Sequence, residues 1–239
     1  MSSTRTRLIA ALDTASYEEA TQWATQLEGK VDAIKLGLEF TYACGLDAVR
    51  ALGEHQKLFL DLKLHDIPNT VASGLKALAP LRPFLTTIHA LGGPEMIARA
   101  RAALEESFEG GPDRPKLLAV TVLTSMNEQS LAEVGINDTP LDEVVRLGKM
   151  AIQAGADGLV CSAHELVALR DALGNKPELI VPGIRPAGSA LDDQKRVMSP
   201  TQAAEAGADW IVVGRPITRA DDPAAAAQAI QDELQAASQ

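Results

Sequence analysis

Eight short runs rich in Ile, Leu and Val recur along the chain, separated by segments of helix-forming composition, and no other feature constrains the fold as tightly. The runs are Arg7 to Asp13, Asp32 to Gly37, Lys57 to Lys63, Phe84 to His89, Leu117 to Leu123, Asp157 to Ser162, Glu178 to Pro182 and Asp209 to Gly214. Seven helical segments lie between them, and an eighth, Asp222 to Ala236, closes the chain. Strands that alternate with helices form parallel sheets buried on both faces, because each crossover returns over the sheet. An open doubly wound sheet shows the same alternation, but a count of eight favours closure. At 239 residues the chain is close to the ~250 of a (β/α)8 TIM barrel, so it reads as one α/β catalytic domain over residues 1–239. Aromatic residues are only 3%, which leaves Leu, Ile, Val and Ala to fill the stacked layers of a barrel core.

The boundaries carry signals of their own. Ser16 to Glu19 and Ser162 to Glu165 fit the capping box, in which two side chains satisfy each other's backbone N–H groups. Pro68 and Pro200 suit first-turn positions, where no intrahelical N–H bond is lost. Ala154-Gly155-Ala156-Asp157 before one run is echoed by Ala206-Gly207-Ala208-Asp209 before another, and each glycine can take the left-handed conformation that ends a helix. The polar stretch Glu109 to Lys116 lies between a helix and a strand and reads as a surface loop rather than a linker.

A formal charge of -10 and a pI near 4.9 argue against nucleic acid or an anionic membrane as partner. A small anionic substrate then needs a local cluster of Lys and Arg. Cys44 and Cys161 make no CxxC pair, and the polar N-terminus holds no signal peptide or span, so the expected compartment is a reducing cytoplasm.

The chemistry concentrates in Lys57 to Leu64, where side chains alternate between two faces. Leu58, Leu60, Leu62 and Leu64 make an apolar face suited to packing under helices. The other face carries Phe59, Asp61 and Lys63, with the charges at the carboxyl end, where barrel active sites lie. One Asp-x-Lys is adequately explained as a structural ion pair. Here the neighbouring runs repeat the pattern: Ile9, Ala11 and Asp13 share a face, as do Val31, Ala33 and Lys35. Four ionisable groups aimed at one mouth cost several kcal/mol unless they pair or serve a ligand, which favours function. Asp66 follows just before Ile67-Pro68 and fits a helix-capping carboxylate as well as a functional one.

A second constellation lies near the C-terminus. Val181-Pro182-Gly183-Ile184-Arg185-Pro186 opens a loop running through Gln194, with Arg185 placed as an anion clamp at its base. Gly214-Arg215-Pro216 ends the eighth run, and in barrels the loops after strands seven and eight often hold phosphate. His55, His65, His89 and His164 lack metal-ligand spacing, although His89 ends the fourth run and can face the mouth. Cys161, Trp23 and Trp210 read as core or interface fillers. The histidine spacing gives no reason to expect a catalytic metal, and GxGxxG and GxxxxGK[ST] are both absent, so no nucleotide cofactor is expected.

Together these residues resemble the orotidine 5'-phosphate decarboxylase family. The resemblance rests on Ala11-Leu12-Asp13, Ile34-Lys35-Leu36-Gly37, Asp61-Leu62-Lys63-Leu64-His65-Asp66-Ile67-Pro68-Asn69-Thr70, Pro182-Gly183-Ile184-Arg185-Pro186 and Gly214-Arg215-Pro216, with Thr121 to Ser125 and Asp193 to Arg196 as further matches. It implies that Lys63 is the proton donor to C6 of the pyrimidine, with Asp61 beside it and Lys35 and Asp13 holding ribose hydroxyls. It also implies a homodimer with shared active sites, in which Asp66, Ile67 and Thr70 reach the neighbouring subunit. Thr124 and Ser125 would lie at the pyrimidine edge, Gln194, Gly214 and Arg215 would grip the phosphate, and Arg185 would sit in the closing loop. No cofactor is implied. A metal-dependent aldolase-type enzyme on the same barrel is the nearest rival, since related sugar-phosphate barrels share Asp-x-Lys-x-x-Asp. A phosphate-binding protein without catalysis is the other, but phosphate binding alone does not require Lys63 between two carboxylates.

Overall fold

The computed structural model describes residues 5–186 and 198–237. Eight parallel strands pair in chain order and the last pairs with the first, closing a barrel. They are β1 (Arg7–Ala11), β2 (Ala33–Leu36), β3 (Leu58–Leu64), β4 (Leu85–His89), β5 (Lys116–Val120), β6 (Gly158–Val160), β7 (Glu178–Pro182) and β8 (Trp210–Val213). The helices are α1 (Tyr17–Gln26), α2 (Leu38–Gly53), α3 (Pro68–Leu78), α4 (Gly93–Ser107), α5 (Glu128–Glu133), α6 (Pro140–Gln153), α7 (Leu166–Leu173), α8 (Pro200–Glu205), α9 (Arg215–Thr218) and α10 (Pro223–Ala236). The short α5 and α9 are additions to the eight helices expected from sequence. Several strands end one or more residues before their apolar runs, although Leu12 and Cys161 just past them still donate backbone N–H groups to Lys35 O and Ile180 O of the adjacent strands, and Val122 is buried beyond β5. The runs thus record burial that extends past the regular pairing.

Period-two alternation sorts side chains into two cores. Ile9, Ala11, Ala33, Phe59, Leu85, Leu118, Ile180, Trp210 and Val212 fill the barrel interior. Their alternates, among them Leu8, Ala10, Ile34, Leu36, Leu58 and Leu60, pack outward under the helices. Cys161 belongs to the outer core, where burial raises its thiol pKa above the usual range. Trp23 is only partly buried against that core.

At the amino ends of the strands one device recurs. Asp32, Asp157 and Asp209 each donate a backbone N–H to Leu8, Leu117 and Leu179 of the preceding strand, at 2.8 to 3.0 Å. The carboxylate of each then accepts the N–H of that same leucine, at 2.7 to 2.8 Å. The repeated Gly-Ala-Asp is thus a lock between adjacent strands. Gly155 and Gly207 just ahead of it take φ of +111° and +96°, a conformation glycine adopts without strain.

Helix starts follow the sequence with one exception. Pro68 and Pro200 open α3 and α8, and Ser162 with Glu165 completes a capping box. Ser16 accepts from the Glu19 N–H, but the Glu19 carboxylate takes the Thr14 hydroxyl instead of closing the box. Among the described residues no helix is long and apolar enough to cross a membrane.

Candidate active site

The carboxyl ends of β1 to β3 bring Asp13, Lys35, Asp61 and Lys63 together at one mouth. Lys63 Nζ lies 2.8 Å from Asp61 Oδ2, Lys35 Nζ lies 3.7 Å from the same oxygen, and Lys35 Nζ lies 3.0 Å from Asp13 Oδ1. The result is a row of alternating charge, buried at Lys35 and Asp61 and open to solvent at Asp13. Burial by itself pushes the Asp61 carboxyl up. The ammonium groups of Lys35 and Lys63, with hydrogen bonds from Lys63 and Thr87, outweigh it and hold the carboxyl below its ordinary 3.8. Asp61 is therefore ionised at neutral pH.

Strict alternation fails at Lys63. Between Leu60, opposite Thr86, and Leu64, opposite Ile88, β3 spends four residues where β4 spends two. The excess is taken up with Lys63 at φ +49°, a left-handed backbone that costs a non-glycine residue about 1–3 kcal/mol. Such strain persists only where the surroundings over-determine it.

Two residues of the site went unassigned in the sequence. Thr87, fully buried on β4, donates its hydroxyl to Asp61 Oδ1 at 2.9 Å and accepts the Lys63 backbone N–H at 2.9 Å. Its signal was parity, since it shares a face with Leu85 and His89. Gly37, at the start of α2, leaves room for the lysine: a Cβ there would stand 3.2 Å from Lys35 Nζ and 3.5 Å from Asp13 Oδ1. His89 stacks on His65 with ring centroids 5.3 Å apart. Burial, then the charges of His65 and Lys63, hold its pKa below the ordinary 6.5.

Asp66, Ile67 and Thr70 stand apart from this row. All three are exposed, and Ile67 is 67% accessible despite being apolar. The capping alternative for Asp66 fails, because Ile67 is the N-cap of α3 without a side-chain bond and, among the described residues, the Asp66 carboxylate accepts only the adjacent Ile67 N–H, at 2.7 Å. Among the described residues of one chain Lys63 has one carboxylate partner, Asp61, and Asp66 does not reach it.

Around the mouth, Thr124 and Ser125 occupy a turn after β5. Pro182 ends β7, and Arg185 follows with its side chain buried and its backbone N–H on Met198 O at 3.1 Å. Gln194 lies outside the described residues. Gly214 and half-buried Arg215 follow β8, and a Cβ on Gly214 would come within 3.5 Å of Ala11 and 3.8 Å of Asp13 Oδ2, so the β8 end adjoins the charged row. Among the described residues no group of three or more His, Cys, Asp or Glu is placed to hold a metal ion.

Residues 6–230 match the model of the Orotidine 5'-phosphate decarboxylase / HUMPS family. The chain belongs to this family. A family member of Gluconobacter oxydans, named orotidine 5'-phosphate decarboxylase, is 71% identical over 235 residues, covering 98% of this chain and 100% of the relative. One of the same name from Geobacter metallireducens is 47% identical over 231 residues, covering 96% of each. The crystal structure of orotidine 5'-phosphate decarboxylase from Lactobacillus acidophilus superposes with a TM-score of 0.86 at 42% identity, over 96% of this chain and 99% of that one. As a member of the orotidine 5'-phosphate decarboxylase family the chain is an enzyme, a carboxy-lyase, and the matched span holds every site residue from Asp13 to Arg215.

Proposed function

We propose that this enzyme converts orotidine 5'-phosphate to UMP and carbon dioxide, the last step of de novo pyrimidine synthesis, without metal or organic cofactor. The observation that carries the reading is the Lys63 ammonium, 2.8 Å from an ionised Asp61 at the carboxyl end of β3. Breaking the bond from C6 to the carboxylate leaves an electron pair in the ring plane, where the π system cannot delocalise it. An ammonium at C6 stabilises that pair electrostatically and then supplies the proton that forms the C6–H bond, leaving a neutral amine. Asp61 holds the Lys63 ammonium in place by an ion pair, and its own negative charge beside the substrate carboxylate disfavours the bound ground state.

The remaining roles follow the family pattern. Lys35 and Asp13 hold ribose hydroxyls, Thr124 and Ser125 meet the pyrimidine edge, and Gln194, Gly214 and Arg215 bind phosphate, with Arg185 at the base of the closing loop. Phosphate binding remote from C6 then drives closure and contributes to rate. Asp66, Ile67 and Thr70 serve the site of a second subunit in a homodimer. Their exposure, with apolar Ile67 and 44%-accessible Leu91 on adjacent loops, supports that assignment. The expected location is the cytoplasm, and neither nucleic acid nor membrane is a partner.

The test follows loss of orotate absorbance in excess EDTA. Wild type should turn over at an undiminished rate, and Lys63→Ala should lose at least about 10³-fold in kcat, since it removes donor and cation together. Abolition by chelator would favour the aldolase-type alternative. Near-normal turnover by Lys63→Ala would remove the lysine from the mechanism.

A further inference from the structure

We infer that Thr87 is a positioning residue for the decarboxylation, its one hydroxyl fixing both the Asp61 carboxylate and the left-handed backbone of Lys63. The inference rests on the assignment of Lys63 and Asp61 to the chemistry and goes beyond it to the part that holds them.

The geometry leaves Thr87 Oγ1 one arrangement. A hydroxyl has a single proton, and here it points to Asp61 Oδ1 at 2.9 Å, because a carboxylate can only accept. Its lone pair receives the Lys63 N–H at 2.9 Å. Thr87 has no solvent exposure, so water does not replace either bond. With Oδ1 occupied by Thr87, Oδ2 is the oxygen that faces both ammonium groups, Lys63 at 2.8 Å and Lys35 at 3.7 Å. The second bond acts where the chain is strained. Lys63 sits at φ +49° inside the register shift, and the ladder partner its N–H would have had is replaced by this side chain from β4. Thr87 itself lies in a regular stretch of β4, opposite Leu118 of β5, so its own position is rigid. A rigid strand thus sets the ammonium of its strained neighbour, and displacement of a reacting group by about 1 Å costs on the order of 10²-fold.

Thr87→Val and Thr87→Ser separate this role from packing. Valine preserves the shape and removes both bonds; serine keeps the hydroxyl and loses a methyl. The measurements are kcat and KM for orotidine 5'-phosphate, UMP affinity, thermal unfolding, and the ¹³C titration of the Asp61 carboxyl. Groups facing that carboxyl are Lys35 from β2, Lys63 from β3 and Thr87 from β4, with Asp13 beyond Lys35 and with His89 and His65 beside Lys63. Valine should lower kcat about 10- to 100-fold with KM and UMP affinity changed less than about threefold, and should move the Asp61 midpoint upward. Serine should return kcat to within about threefold of wild type and leave the midpoint in place. A valine variant with kcat within twofold of wild type would overturn the inference. So would a serine variant as impaired as valine, or equal losses of kcat and UMP affinity that track a lowered Tm, because packing would then explain both. If Lys63→Ala keeps its activity, the assignment of the lysine fails instead, and an unmoved Asp61 midpoint in Thr87→Val would still count against Thr87 on its own.

Discussion

Gly37 acts through the side chain it lacks. The space a Cβ would fill lies 3.2 Å from Lys35 Nζ, so alanine would press on the ammonium that links Asp13 to Asp61. Gly37→Ala should lower kcat/KM for orotidine 5'-phosphate by roughly tenfold or more while changing Tm little, read by steady-state kinetics and a melting curve. An unchanged kcat/KM would show that the lysine can give way freely. Sequence parity located Lys35 and Asp61 because both sit in paired strands facing a common mouth; Asp13, two residues past β1, and Lys63, inside the register shift, reach the same mouth without regular pairing. Parity placed Thr87 on the same face as Leu85 and His89, but an uncharged threonine beside Thr86 carries no mark of which residues it meets on the adjacent strand. Asp66 is legible in sequence only through the family resemblance, since in its own chain its carboxylate turns to the adjacent Ile67 N–H at the start of α3 and away from Lys63.

At the level of elements, the strand locks divide the barrel into a floor that stabilises and a mouth that reacts. Asp157 is the most heavily bonded of the three: both its oxygens receive Arg114, at 2.9 Å each, and Arg101 adds a third bond at 2.8 Å. Burial pushes its pKa up, but the Arg114 bonds, the Leu117 N–H and the nearby guanidinium charges bring it below the ordinary 3.8. A carboxyl lowered by folding contributes stability that is full above its unfolded pKa and is lost as pH falls through the folded one. Asp157→Asn should therefore cost about 1–3 kcal/mol at neutral pH, with kcat unchanged, and the gap from wild type should narrow below pH about 4. Thermal or urea unfolding across that range checks it; a gap independent of pH would mean that charge contributes nothing. The repeated Gly-Ala-Asp was visible in sequence as an echo, but its meaning was not, because the third copy of the lock, at Asp32, lacks the Gly-Ala and the β3–β4 pair has Phe84 in that place. Phe84 instead packs on Trp210, 5.6 Å away, inside the barrel floor.

For the molecule as a whole, the eightfold alternation made barrel closure legible, while α5 and α9 stayed hidden because short helices leave no periodic trace. The assembly is read from what a single chain leaves undone. Asp66 has no cation partner of its own among the described residues, and an exposed Ile67 beside it asks for cover. Mixing Lys63→Ala with Asp66→Asn should recover activity through heterodimers that contain one intact site, about a quarter of the total capacity at equal mixing if subunits exchange at random. No recovery, with exchange confirmed by mass, would return Asp66 to its own chain. The backbone at Lys63 adds a consequence for how such a barrel evolves. Glycine or asparagine would occupy φ +49° with less strain, so conformation alone would not choose lysine there. Selection for turnover and selection for a durable scaffold thus pull in opposite directions on one residue, and a lineage released from the reaction would be expected to change position 63 first.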